Sequence, residues 1–481
     1  MTLQRTGKNL RVTSMPTGAG HAVTADIDTV TAAEAVDRPA GFGLPFASAL
    51  VVGSVIGTGV FALPSALAGY GPISLVAFGL VTIGAVALAL TFRALTQRLP
   101  SSGGPYVYAR EAFGEFAGFL NAWSYWITAW AGNAAIVVAW VGYVEVFWNT
   151  GHTTSWSIMI ALVGLWLPAA VNLAGLRSIA WFQIVMTVLK FIPLLFIATV
   201  GLFFIKSSNF GTFNASGGSS LRALSDAAAI ALFSYLGIET ASVAAGRVRD
   251  PQRNVGRATV LGTIACAAVY ILGTLAVFGT VAHTRLVTST APFTDSANAI
   301  LGGRWGGDLV AIGAIISGIG ALIGWTLIVA EMPMVAARDR LFPTPFAQES
   351  RAGVPAFGII VSTGLASALV IVSYTRFDQV FITIVLLSVF TAVVPYIFSA
   401  AAQLFWLVTR NRPTVVAHLV RDVVVSFVAL AFSFWTLEGS GEQAAFYGVI
   451  CLLLGVPVYV WMKAVRGEYG EGPAPVSTVT S

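Results

Sequence analysis

The sequence predicts an all-α integral membrane protein of twelve transmembrane helices, two of them discontinuous. Three observations lead there. Hydrophobic residues are 57% of the 481 residues and charged residues only 10%, with a mean hydropathy of +0.82, far above a soluble globule. Apolar runs long enough to cross a hydrocarbon core of about 30 Å recur along the chain. The first run contains Gly53-Ser54-Val55-Ile56-Gly57-Thr58-Gly59, where three glycines and two hydroxyl residues weaken a helix. Backbone groups freed at membrane depth then need a buried polar ligand or a tight helix contact, because lipid supplies no partner.

Residues 1–40 mix Ser, Thr, Gly and both charge signs without apolar periodicity, which reads as a disordered tail with no cleavable signal. Spans 1 to 5 are expected at 43–66, 73–96, 114–147, 156–175 and 178–205. Spans 6 to 10 follow at 224–246, 257–281, 308–337, 354–374 and 378–408, completing a core of 43–408. Spans 11 and 12 lie at 422–437 and 443–463, and 464–481 form a second tail.

Charge orients these spans. All but six of the 26 Lys and Arg fall on the side that holds both termini; Lys206, Arg222, Arg285, Arg304 and Arg376 lie opposite, and Lys190 lies within a span. The positive-inside rule therefore places both termini in the cytoplasm of a multi-pass cell-membrane protein. The net charge of +5 reports this topology and gives no reason to expect a nucleic-acid partner. Cys266 and Cys451 sit in apolar runs, so neither a disulfide framework nor a cysteine metal site is indicated.

Span 6 is interrupted in its turn at Ser234-Tyr235-Leu236-Gly237, directly before Glu239. If spans 1–5 and 6–10 are repeats, the two breaks occupy corresponding positions, and paired interruptions are the best sequence pointer to a transporter's substrate site.

Ionisable residues inside the spans mark function by default. Lys190 lies roughly 16 Å from the nearer end of span 5, too deep for easy snorkelling, so its ammonium must face carbonyls, an anion or water. Glu239 is its natural acidic counterpart, either proton-sensing or fixed in an ion pair. Glu331 reads as an interfacial partner of Arg338, and Glu145 as reaching water. Trp325 and Phe233 are placed to cover a solute. Trp126, Trp130 and Asn133 share one face of span 3, where Asn133 needs a substrate or helix partner.

These residues resemble the amino acid-polyamine-organocation (APC) superfamily. The resemblance is carried by Gly57-Thr58-Gly59-Val60-Phe61, Ser102-Gly103-Gly104-Pro105-Tyr106-Val107-Tyr108, Gly237-Ile238-Glu239-Thr240-Ala241-Ser242 and the following Arg249-Asp250-Pro251-Gln252-Arg253-Asn254-Val255. It spans about Gly43 to Lys463 and points in particular to basic amino acid/polyamine antiporters of the arginine/agmatine exchanger type. The resemblance implies a leucine-transporter-like five-plus-five inverted repeat with discontinuous helices 1 and 6. It implies a substrate carboxylate on the N–H groups around Thr58 and Gly59, next to Gly57. The amino group would meet carbonyls near Val55, Phe233 and Leu236, flanked by Ser234 and Gly237. Trp325 would pack against substrate, Asn133 would lie near its distal end, and Glu239 would sense protons. Three departures stand out. Phe233 replaces a gating tryptophan, Gly256 replaces a usual proline, and Lys190 replaces a small apolar residue. A lysine at that point resembles proton-coupled cationic and neutral amino acid transporter relatives, where the ammonium occupies the place of a sodium ion.

The expectation is a sodium-independent, alternating-access amino acid transporter working by exchange or proton coupling. No metal or organic cofactor is called for. Glu239 and Asn133 lean toward cationic amino acids or diamines, Lys190 and Phe233 toward small neutral ones. An enzyme would need a nucleophile-base pair or metal ligands inside the spans, yet His21, His152, His283 and His418 lie in tails, loops or span edges. A channel or a substrate-sensing receptor would share the fold, and oligomeric state, a homodimer included, stays open.

Overall fold

The computed structural model describes residues 4–6, 9–11, 43–57, 59–175, 179–243, 245–377, 379–409 and 416–467. The chain divides into two units, Met1–Gly41 and Phe42–Ser481. In the first, β1 (Gln4–Thr6) and β2 (Asn9–Arg11) pair antiparallel, with Arg5 opposite Leu10.

The second unit is helical throughout its described residues, and ten stretches there are long and apolar enough to cross a membrane. Its helices begin with α1 (Leu44–Val55), α2 (Gly59–Ala68), α3 (Ile73–Arg98), α4 (Pro105–Phe113), α5 (Glu115–Val144) and α6 (Thr154–Leu173). There follow α7 (Ile179–Val200), α8 (Ser220–Leu232), α9 (Thr240–Val243), α10 (Pro251–Thr280), α11 (His283–Leu286), α12 (Pro292–Leu301) and α13 (Trp305–Arg338). The last are α14 (Ala356–Arg376), α15 (Val380–Thr409), α16 (Val416–Gly439), α17 (Gly441–Leu453) and α18 (Gly455–Val465).

Local chemistry sets several of these boundaries. Pro105 and Pro251 occupy first-turn positions of α4 and α10, where a missing N–H costs nothing. The Ser219 hydroxyl caps α8 by accepting from the Arg222 N–H. The α4 stretch, expected as a loop, is a nine-residue helix; its period is short and amphipathic, so a scan for membrane-length apolar runs passes over it.

Helix α5 is the centre of the bundle, packed against α13 and α15 on its long faces. Helix α10 packs against α3 and α1. By contrast α16 turns apolar side chains such as Val420, Val424 and Phe427 outward, as a peripheral helix in lipid does.

Two expected ion contacts are redrawn. Arg338 pairs with Glu349 at 2.7 Å, and Glu331 is buried instead of interfacial. Glu145 is only 5% exposed: it accepts from Ser157 Oγ and Asn149 Nδ2, with His152 Nδ1 2.6 Å from its other oxygen. Both glutamates stand near helix ends, where the α6 start or the bundle interior supplies cover that position in the sequence alone does not reveal.

Candidate functional site

Helix α1 ends at Val55 and α2 begins at Gly59. At that end the Val52 carbonyl still accepts from the Ile56 N–H at 2.8 Å. The Val55 carbonyl accepts from the Gly57 N–H at 3.1 Å. The Ser54 carbonyl is reached from another helix altogether, by Trp325 Nε1 of α13 at 2.8 Å.

The second interruption lies alongside. After α8 a single 3₁₀ turn covers Phe233–Tyr235, Leu236 is extended, and α9 starts at Thr240. Gly237 has φ +107, a conformation open to glycine at little cost. A Cβ there would also stand 3.0 Å from the Ser54 carbonyl carbon. At Gly59 a Cβ would run into the Phe233 ring. The two segments thus meet closely at both positions, Gly237 against the Ser54 backbone and Gly59 against the Phe233 ring, which is why glycine stands at each.

Between them lies a small enclosed cavity of about 20 Å³, lined by Ser54, Val55, Gly57, Gly59, Phe233, Leu236 and Trp325, with Thr128, Gly132 and Ile136 of α5 closing it. Its volume suits about one water molecule. The anticipated residues Val55, Gly57, Gly59, Phe233, Leu236 and Trp325 are brought together here. Ser234 is not among the lining residues; its hydroxyl donates to the Ala231 carbonyl at 2.6 Å. Gly237 packs behind the cavity against Ser54. Asn133 follows Gly132, and its buried Oδ1 has no hydrogen-bond partner among the described residues. Thr58 lies outside the described residues, as does the side chain of Lys190, whose backbone belongs to α7.

The α5 wall was not anticipated. Thr128, Gly132 and Ile136 recur every four residues and so form one stripe, with Ile136 Cδ1 meeting the space above Gly57. The aromatic face chosen from the sequence turns elsewhere: Trp126 Nε1 donates to Ser362 Oγ at 2.8 Å and its ring packs on Phe342 and Phe346. The small residues of the stripe were the available signal.

Beyond Phe233 the chain opens. A much larger cavity of about 670 Å³ sits at the end of the bundle where α2 finishes, lined in part by Ala62, Tyr70, Glu145, Asp226 and Phe381. Phe381 meets Phe233 edge-on, ring centroids 6.1 Å apart. One ring belongs to each cavity, so this pair is the partition between them.

On the opposite side of the break lies a polar knot. The fully buried Glu239 carboxylate accepts from Tyr396 OH at 2.9 Å and from the Gly237 N–H at 3.3 Å through the same oxygen, and the buried Tyr125 stands near it. Further out, Asp339 accepts from Tyr106 OH at 2.7 Å and pairs with Arg110 at 2.6 Å, tying α4 to the end of α13. Among the described residues no cluster of His, Cys, Asp and Glu has the makings of a metal site.

Comparison with known proteins agrees in extent with this architecture. The family described as amino acid permease matches residues 42–457. An arginine/ornithine antiporter of Pseudomonas aeruginosa is 30% identical over 88% of this chain and 90% of that protein. An arginine/agmatine antiporter of Chlamydia pneumoniae is 30% identical over 85% of this chain and 88% of its own length.

Proposed function

We propose, from the premise that the chain belongs to the amino acid permease family of the APC superfamily, that it exchanges cationic amino acids, or a cationic amino acid for its decarboxylated amine, across the cell membrane. Relatives named as arginine/ornithine and arginine/agmatine antiporters support that substrate class. The observation that carries the reading is the cavity enclosed by the paired interruptions and capped by the Phe233–Phe381 partition.

In this reading the N–H groups around Thr58 and Gly59 cradle the carboxylate, because the first N–H groups of a helix are unpaired and lie at its positive pole. The α-ammonium donates to carbonyls of the interrupted segments at Val55, Phe233 and Leu236, each of which has a second lone pair to offer. A distal guanidinium or ammonium extends toward α5, where the unpartnered Asn133 Oδ1 is an acceptor in want of a donor. Trp325 packs against the substrate. Glu239 carries the proton sensitivity, and Lys190 serves as a resident cation that makes sodium unnecessary.

Alternating access then follows from the two barriers. The large cavity opens to the outside, since the positive-inside rule puts both termini in the cytoplasm; parting Phe233 from Phe381 connects it to the site. Opening inward requires the Glu239 and Asp339 knots to loosen. Twelve spans in a five-plus-five inverted repeat suit this mechanism, and the packing of α3 on α10, α5 on α13, and α6 on α14 supports it. Those are the pairs such a repeat would relate, with α16 to α18 outside it. The tails 1–40 and 464–481 are cytoplasmic.

The deciding measurement is counterflow in proteoliposomes. Internal arginine should drive uptake of labelled arginine, ornithine and agmatine without sodium, while unlabelled alanine competes weakly. Sodium-dependent uptake indifferent to internal substrate would overturn the reading.

A further inference from the structure

We propose that a crevice between α3, α15 and α16 is a binding site for a monoanionic phosphate group, supplied by the phosphodiester headgroup of an anionic lipid. It has a volume of about 210 Å³ and is lined by Arg93, Gln97, Gln403, Arg421, Asp422 and Ser426 among others. It is separate from the substrate path and owes nothing to the choice of substrate.

Depth is the first argument. Arg93 lies five residues before the last residue of α3, Gln403 six before the end of α15, and Arg421 five after the start of α16. At 1.5 Å per residue, all three stand roughly 8 Å inside the helix ends, at the edge of the hydrocarbon core, from which an arginine side chain extends to the level of the lipid phosphates.

Charge is the second. Arg421 closes on its neighbour Asp422, Nη2 at 2.7 Å and Nε at 2.9 Å. Arg93 makes no ion pair among the described residues. The lining therefore carries one net positive charge, which one phosphodiester balances. A guanidinium also matches phosphate oxygens in geometry.

Gln403 is the third and most specific. It is 1% exposed, it lines the crevice, and its Oε1 is buried without a hydrogen-bond partner. Buried amides are ordinarily satisfied. Rotated one way the amide donates to a phosphate oxygen; rotated the other it accepts from a headgroup hydroxyl, so a headgroup bearing both is the natural complement.

The crevice is also built around Arg93. On α10, a Cβ at Gly256 would stand 2.5 Å from Arg93 Cγ and 3.0 Å from its Cβ, so glycine there lets the arginine stem lie against the neighbouring helix. The outward apolar face of α16, with Val420, Val424 and Phe427 exposed, offers acyl chains a surface continuous with the crevice. That favours a lipid over free phosphate as the source, since basic pockets between helices near the cytoplasmic face are suited to anionic headgroups.

Native mass spectrometry of the full chain tests this, after exchange into dioleoylphosphatidylglycerol or dioleoylphosphatidylcholine. The parent should retain phosphatidylglycerol in preference, and Arg93→Gln and Gln403→Leu should each lower its occupancy about tenfold. Arg93→Lys should keep part of it, and the remote Arg304→Gln all of it. Should either variant fail to fold, Gly256→Ala, which displaces the stem and keeps the charge, should lower occupancy in a protein that still elutes as one species. If inorganic phosphate displaces the lipid and raises the melting temperature of delipidated protein, the phosphate site stands and its source is soluble. If phosphate does neither, the source is the lipid. Unchanged occupancy in Arg93→Gln and Gln403→Leu overturns the proposal.

Discussion

Trp325 Nε1 donates to the carbonyl oxygen of Ser54 at 2.8 Å, joining α13 to the last turn of α1. In a continuous helix that carbonyl would accept from the residue four positions on. Here α1 stops at Val55, and an indole from another helix reaches that carbonyl. Trp325→Phe keeps an aromatic ring and deletes the donor, removing a buried hydrogen bond worth about 1 kcal/mol. The variant should melt earlier than the parent and bind substrate about tenfold more weakly by scintillation proximity. Parent-like melting and binding together would show that the bond is incidental.

Gly237→Ala should be a damaging single-atom change. Its φ of +107 penalises any side chain by about 1–3 kcal/mol, and the added carbon would press on the Ser54 backbone, which has no rotamer with which to retreat. Exchange in proteoliposomes should fall below a tenth of the parent rate, with membrane content held equal by quantitative blotting. Full exchange would mean that the two interrupted segments separate more freely than their packing suggests.

How much of this was legible beforehand depends on what each residue type can reveal. The glycines at 57, 59 and 237 were conspicuous because glycine is costly inside a helix, so its presence demands a reason. The family resemblance rested on the same positions. The α5 stripe Thr128, Gly132 and Ile136 was not legible as a site wall. Periodicity says which residues share a face but not where that face points, so the shared spacing of Trp126, Trp130 and Asn133 does not reveal that Trp126 turns to Ser362. Glu145 and Glu331 misled for a related reason: depth along a span can be counted, whereas cover from a neighbouring helix cannot. Trp325 was singled out as a lid over a solute, and its hydrogen bond to Ser54 depends on a crossing that no local pattern encodes.

Glu239 should govern the pH response. Its Oε2 accepts from both Tyr396 and the Gly237 N–H, so its charge state is coupled to the second interruption. Glu239→Gln is nearly isosteric and fixes a neutral side chain there. Exchange measured from about pH 5 to pH 8 should become flat in the variant while the parent varies. Tyr396→Phe should keep a sloping profile at lower rate, because the titrating group remains. An identical profile in parent and Glu239→Gln would assign proton sensitivity elsewhere.

The partition between the cavities can be tested without reference to substrate. Phe233 and Phe381 meet edge-on at 6.1 Å, a contact worth about 0.5–1.5 kcal/mol beyond burial. That is small enough to part at ordinary temperature and large enough to keep the site closed most of the time. A cysteine at Thr128, on the far wall of the small cavity, should react slowly with a membrane-impermeant maleimide in a background lacking Cys266 and Cys451. Removing the lid with Phe381→Ala should raise that rate severalfold, in keeping with the loss of roughly 1 kcal/mol of ring contact. The same change should leave labelling of a cysteine at exposed Arg304, in the turn before α13, unaltered. If Phe381→Ala left the Thr128→Cys rate unchanged, access would be limited by movement of α2 and α8 as wholes, and the aromatic pair would be a passenger on them.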